Sequence, residues 1–310
     1  MKNRLSRLRF EALECRLPMA GDVGASVSSG RLDLDGDSKG NVIEIRQLDP
    51  DSFEIRGIGT TINGSSSFVA NNVSNDFLIE LNRGDDIVRF FSVSVPRHLT
   101  VKMGKGVDKA EATSLAVGGD TEINVGSDAD EITVNSSTFT GKCEFHFNNG
   151  NDKLYFANST VGAYCEFDSS TGADQMEIIS STFNSLMKID TSADGDTVTI
   201  DGNCLFRDDL DFVGKRKGHT FNLLNSTFEG DVRFDTGDGD EQLTVRGSTF
   251  KQNFSAALDE GDDTVRLENC TFEAAVTLNG EEDRDELYFL GLGNTFLQGA
   301  PTINSFELIA

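Results

Sequence analysis

Ser136-Ser137-Thr138-Phe139 returns as Ser180-Ser181-Thr182-Phe183, as Asn225-Ser226-Thr227-Phe228 and as Asn269-Cys270-Thr271-Phe272. The last residue of the phrase belongs to a longer series: Phe139, Val161, Phe183, Phe206, Phe228, Phe250, Phe272 and Phe296, at intervals of 22, 22, 23, 22, 22, 22 and 24. A fixed period of this length signals a repeat architecture, in which each unit buries its face only against its neighbours. Counted from an acidic residue that recurs every 22 positions (Asp86, Asp108, Asp130, Asp152, Asp174), apolar residues fall at +2, +4, +9, +13 and +15. After Asp130 these are Ile132, Val134, Phe139, Cys143 and Phe145; after Asp152 they are Leu154, Phe156, Val161, Cys165 and Phe167. Two separated period-2 pairs, rich in β-branched and aromatic residues, predict short strands rather than helices.

The register continues with small slips through Asp196, His219, Glu241 (or Asp240), Asp263 and Asp285, and extends weakly upstream through Phe68, Val73, Phe77 and Ile79. About ten coils stacked at ~4.8 Å make a rod on the order of 50 Å long. Parallel crossovers are overwhelmingly right-handed. The expected fold is therefore all-β: a right-handed, single-stranded parallel β-helix, with a two-sheet β-roll as competitor. The +9 aromatics are expected to stack along the axis. Asn158, Ser180, Asn225 and Asn269 at +6 are expected to line a turn, where Asn tolerates unusual backbone angles. The chain divides into a leading segment without regular structure (1–30), an antiparallel β cap (31–63), the solenoid (64–296) and a closing tail (297–310). Open strand edges at the two ends need such covers.

The net charge of −25 excludes nonspecific nucleic-acid binding and adsorption to anionic membranes, both of which need Lys and Arg. No apolar run is long enough to span a membrane as a helix. Five cysteines do not make a disulfide framework in a chain of 310 residues. Cys143 and Cys165 should occupy adjacent rungs, as a disulfide or as a buried thiol stack. Cys204 and Cys270 share a slot otherwise filled mostly by Ser and read as small buried residues.

Each unit opens with a Gly/Asp-rich turn, and stacked like charges ~4.8 Å apart repel by roughly 1 kcal/mol per pair even in water. Hard divalent cations, Ca²⁺ above all, are natural counterions for flexible Asp/Asn/carbonyl loops. The candidate ligands are Asp86, Asp108, Asp128, Asp130, Asp152, Asp174, Asp194, Asp196, Asp238, Asp240, Asp262 and Asp263. The alternative is that Asp and Gly simply make tight solvated turns. Where His219 takes the acidic slot, Lys215-Arg216-Lys217 precedes it, so the chain is expected to supply its own cations there. Gly150-Asn151-Asp152-Lys153-Leu154 and Gly239-Asp240-Glu241-Gln242-Leu243 resemble half of the haemolysin-type (RTX) calcium repeat. That resemblance implies Ca²⁺, although the nonapeptides are not in tandem and the glycines are incomplete.

The segment Arg9-Phe10-Glu11-Ala12-Leu13-Glu14-Cys15-Arg16-Leu17-Pro18-Met19-Ala20 resembles the LEPR-XLL element at the N-terminus of planctomycete surface and secreted proteins. Cys15 stands where Pro or Asp is commoner. The resemblance covers about a dozen residues and implies export or attachment to the cell envelope. No residue pattern marks a catalytic centre: the three histidines (His98, His146, His219) lack metal spacing, and no nucleophile elbow or phosphate loop is present. The sequence-level expectation is a non-catalytic extracellular or cell-surface structural or adhesive solenoid, facing a cell envelope or carbohydrate surface. The alternative is a carbohydrate-active β-helix enzyme of the polysaccharide lyase or hydrolase type, a reading that rests on fold alone. The hydroxyl and amide column at Asn158/Thr160, Ser180/Thr182, Asn225/Thr227 and Asn269/Thr271 could face carbohydrate or ice, or merely form turn ladders.

Overall fold

The computed structural model describes residues 21–309 apart from Ser192, Ala193, Glu282 and Leu292. The export-like segment 9–20, with Cys15, lies outside the described residues. All regular structure in the described residues is β-strand. Each coil contributes three strands, as in Glu131–Asn135, Thr138–Phe139 and Cys143–Asn149, and these stack in parallel into sheets 1, 2 and 3 respectively. The ladder advances by one period: Ile132 pairs with Leu154, Phe139 with Val161 and Cys143 with Cys165. This is the parallel β-helix expected from the 22-residue period.

The apolar offsets all point inward. Ile132, Val134, Phe139, Cys143 and Phe145 are each 0% exposed. From Phe183 to Phe296 the +9 rings stack without a gap, with centroids 4.8–5.1 Å apart and planes within 15° of parallel. That spacing is the rung spacing of a parallel sheet, so an aromatic at one slot meets its own copy in the next coil. The +6 residues turn the chain between sheets 1 and 2 with positive φ: 52° at Asn158, 49° at Ser180, 46° at Asn225 and 54° at Asn269. Next to them runs a buried serine ladder. Ser159 Oγ accepts the Ser137 N–H at 3.0 Å and donates to the Ala157 carbonyl at 2.7 Å. Cys204 and Cys270 stand in this ladder as buried free thiols, and Cys143 and Cys165 are likewise unbonded.

The N-terminal end contains the expected antiparallel strands, together with two that join the coils in parallel. β1 (Asp22–Ser28), β2 (Arg31–Asp35), β3 (Val42–Asp49), β4 (Ser52–Gly57), β5 (Thr61–Ile62) and β6 (Ser67–Ala70) form it. β2 and β3 run parallel to the coil strands Phe77–Glu80 and Ile87–Phe91, so they already form part of a coil. β1 folds back antiparallel on β2, and β4 and β6 extend sheet 1 antiparallel beyond β3. The cap thus begins before residue 31. Phe68 pairs with Ile55 inside it rather than opening a coil. At the other end Thr302–Asn304 and Leu308–Ile309 add rungs to sheets 3 and 1, with Ile303 and Phe306 packed on the core.

Phe228, stacked between Phe206 and Phe250, tests the aromatic column. Phe228→Ala should cost about 3–5 kcal/mol in denaturant unfolding. A loss below about 1 kcal/mol would contradict the continuous stack.

Candidate functional site

The sequence-selected carboxylates separate into two groups at the corner between sheets 3 and 1. Asp86, Asp108, Asp130, Asp152, Asp174, Asp196 and Asp263 point inward and are at most 2% exposed. Glu241, rather than Asp240, holds the inner slot, and Asp285 continues it. Asp128, Asp194, Asp238, Asp240 and Asp262 lie on the outer turn, more open to solvent.

The inner group is a hydrogen-bonded ladder. Asp86 Oδ1 accepts the Asn41 N–H at 2.6 Å. Asp108 accepts from Asp86, Asp130 from Asp108, Asp152 from Asp130, Asp174 from Asp152 and Asp196 from Asp174, all at 2.6–2.7 Å. His219 continues it through Nδ1, which accepts the Asp196 N–H at 3.2 Å and so leaves the ring proton on Nε2. Glu241 receives the His219 N–H at 3.4 Å, Asp263 that of Glu241 at 2.8 Å and Asp285 that of Asp263 at 3.0 Å. The corner leaves each of these amides without a strand partner, and the next coil's side chain supplies one.

Glycine makes the corner tight. Gly150 and Gly172, two residues before Asp152 and Asp174, have φ of 151° and 124°. A Cβ on Gly150 would lie 1.8 Å from the Asp128 carbonyl oxygen. Outside this line a second set of side chains caps neighbouring turns. Asp85 accepts the Val107 N–H, Asn151 that of Ala173 and Asp240 that of Asp262, each at 3.0 Å. Lys217 pairs with Asp194, and Lys215 lies 4.0 Å from Asp190, so the basic triplet does bring cations to this corner.

Asp196 uses both carboxyl oxygens, its Oδ2 accepting from Ser169 Oγ at 3.4 Å; in the other inner carboxyls one oxygen is used and the other is not. Oδ2 of Asp86, Asp108, Asp130, Asp152, Asp174, Asp263 and Asp285, and Oε2 of Glu241, are buried without a hydrogen-bond partner. An ionised carboxylate in that position loses hydration it cannot replace. Burial accordingly pushes the carboxyl pKa from 3.8 up to about 6 at Asp86, Asp152 and Asp285, about 7 at Asp108 and Asp174, and about 8 at Asp130 and Asp196. Glu241 and Asp263 also rise, chiefly through burial; the charge of Asp263 adds to the rise at Glu241, and that of Asp285 to the rise at Asp263. Burial has the opposite effect on His219, whose pKa falls from 6.5 to about 4. Around pH 5 the ladder is thus a line of largely neutral acids with one neutral imidazole. Among the described residues no group of three or more His, Cys, Asp or Glu side chains is arranged to hold a metal ion. On the outer turns Asp238, Asp259, Glu260 and Glu281 line a shallow depression.

Sequence reasoning singled out these aspartates without separating the two groups. The signal was available: the acidic slot is in phase with the inward +2 and +4 residues, so strand alternation already turns it toward the core. The sequence analysis also did not single out a groove on the outer face of sheet 1 around Tyr155. No protein-family model matches the chain, and neither the curated proteins nor the solved structures provide a match. What fold and site define is a β-solenoid with a buried acid ladder along one corner.

Raised carboxyl pKa values mean that the folded state binds more protons than the unfolded one between about pH 4 and pH 8. Stability should therefore be greatest at acid pH and fall as pH rises through that window. His219 acts oppositely below pH 6.5, but it is one group against nine carboxyls. Asp130→Asn should raise the melting temperature at pH 8 and change it little at pH 4, since an amide keeps an oxygen to accept the Asp108 N–H and carries no charge to desolvate. Equal effects at both pH values would contradict the neutral ladder.

Proposed function

We propose that the chain is a non-catalytic structural or adhesive module of the cell surface or extracellular space. The observation that carries this reading is the smoothness of the rod. The corner connecting sheets 3 and 1 takes only the six residues 103–108 between Leu99–Lys102 and Lys109–Thr113, and a similar length recurs in later coils. Walls for a catalytic cleft have no chain to form them there. The buried carboxyls are committed to backbone amides, which leaves them unsuited to act as an acid–base pair on a substrate. The LEPR-XLL-like segment supports export.

Ca²⁺ belongs to this proposal at the outer turns, where Asp128, Asp194, Asp238, Asp240 and Asp262 remain within reach of solvent. A polysaccharide-cleaving activity is the competing reading, and it rests on fold analogy alone.

Thermal unfolding in Ca²⁺, in Mg²⁺ and in chelator tests the metal component. A bound ion at about a hundred times its Kd stabilises by about 2.7 kcal/mol per site, so a Ca²⁺-specific rise in Tm is expected. It should vanish in an Asp238→Asn/Asp240→Asn/Asp262→Asn variant and persist in Asp130→Asn. A Tm that responds equally to Mg²⁺ would remove Ca²⁺ from the proposal. Surface labelling of intact producing cells tests the location: labelled protein is expected, and protection until lysis would contradict it.

A further inference from the structure

We infer that the outer face of sheet 1 carries a binding site for a neutral polysaccharide, centred on Tyr155; this rests on the adhesive reading above and names its ligand class. Tyr155 is 39% exposed in a groove of about 290 Å³. The groove spans successive rungs. Lys153 pairs with Gln175 in one outward column, and Tyr155 with Glu177 in the next. Thr197 and Thr199 continue the two columns by one coil.

The chain has three tyrosines, and their surroundings differ. Arg266 lies 5.3 Å from the Tyr288 ring centroid, and the Tyr288 hydroxyl donates to Glu286 at 2.7 Å. Lys142 covers the Tyr164 ring at 5.5 Å, and burial together with Glu166 pushes the Tyr164 hydroxyl pKa up. Tyr155 has neither kind of partner among the described residues. The side chains of Lys153, Gln175 and Glu177 around it likewise make no hydrogen bond or ion pair there. Nearby charges on the same face are paired, as in Arg89 with Glu111 and Lys109 with Glu131. An open aromatic ring bordered by unpaired donors and acceptors fits the apolar face and equatorial hydroxyls of a pyranose. A depression running across parallel strands suits an extended chain. The net charge of −25 disfavours polyanionic glycans, which selects a neutral one.

The test is affinity electrophoresis of the full chain in hydroxyethylcellulose, mannan and dextran, with polygalacturonate as the acidic counterpart. Retardation in at least one neutral polymer is expected, and none in polygalacturonate. Tyr155→Ala should weaken binding about tenfold or more with unchanged Tm, whereas Tyr155→Phe should stay within about threefold. Tyr288→Ala, in the same column but already engaged, should leave binding unchanged. Binding undiminished in Tyr155→Ala, or strongest in polygalacturonate, would overturn the proposal. Wild-type protein that ignores all four polymers yet still makes coated beads adhere to producing cells would overturn the groove and leave the adhesive reading standing. Loss of both would overturn both.

Discussion

The structure depends on one constraint: every coil must give its corner amides a partner in the coil beside it. Within the strands, parallel pairing does this automatically. At the corner between sheets 3 and 1 the backbone turns away and the side chain at the acidic slot takes over, one coil to the next, from Asn41 to Glu307. A carboxyl oxygen one period away must arrive within about 3 Å, and this leaves little room for insertion in the turn. Where the spacing slips, the slot changes chemistry: His219 follows Asp196 by 23 residues and reaches back through a ring nitrogen instead.

Two ladders in the same coil solve the same problem at different cost. The serine hydroxyl accepts from one coil and donates within its own, so Ser159 is fully satisfied. The aspartate accepts once and leaves Oδ2 stranded. Burial of an unpartnered carboxylate is strongly unfavourable, and the group responds by holding its proton. The 52 acidic residues therefore overstate the charge of the folded molecule at mildly acid pH, where the inner line is neutral. At mildly acid pH, protonation relieves the repulsion along the inner line.

The fold was legible in the sequence because a 22-residue period constrains stacking more strongly than local propensity does. The Phe column and the positive-φ turn at +6 were readable from single slots. The ends were less so. β2 and β3 were recognisable as strands, yet their parallel join to the first full coil depends on register with Phe77–Glu80 and Ile87–Phe91, which no local pattern encodes. The acid column was half legible. Its spacing was evident, but its charge type suggested solvent and outweighed the alternation that turned it inward. Tyr155 was not legible at all, because its significance lies in what Tyr164 and Tyr288 have bound and it has not.

The rod combines an inner line of acids, largely neutral at mildly acid pH, with an open polar outer face. Its acid-favoured stability would distinguish it from proteins whose buried carboxylates sit in ion pairs. The most direct measurement is a carbon-13 NMR titration of the side-chain carboxyls between pH 3 and pH 10. The account requires a set of resonances, assigned through Asp130→Asn and its equivalents, that stay protonated to pH 6 and above. Titration of every carboxyl below about pH 4.5 would show the ladder to be ionised and would contradict it.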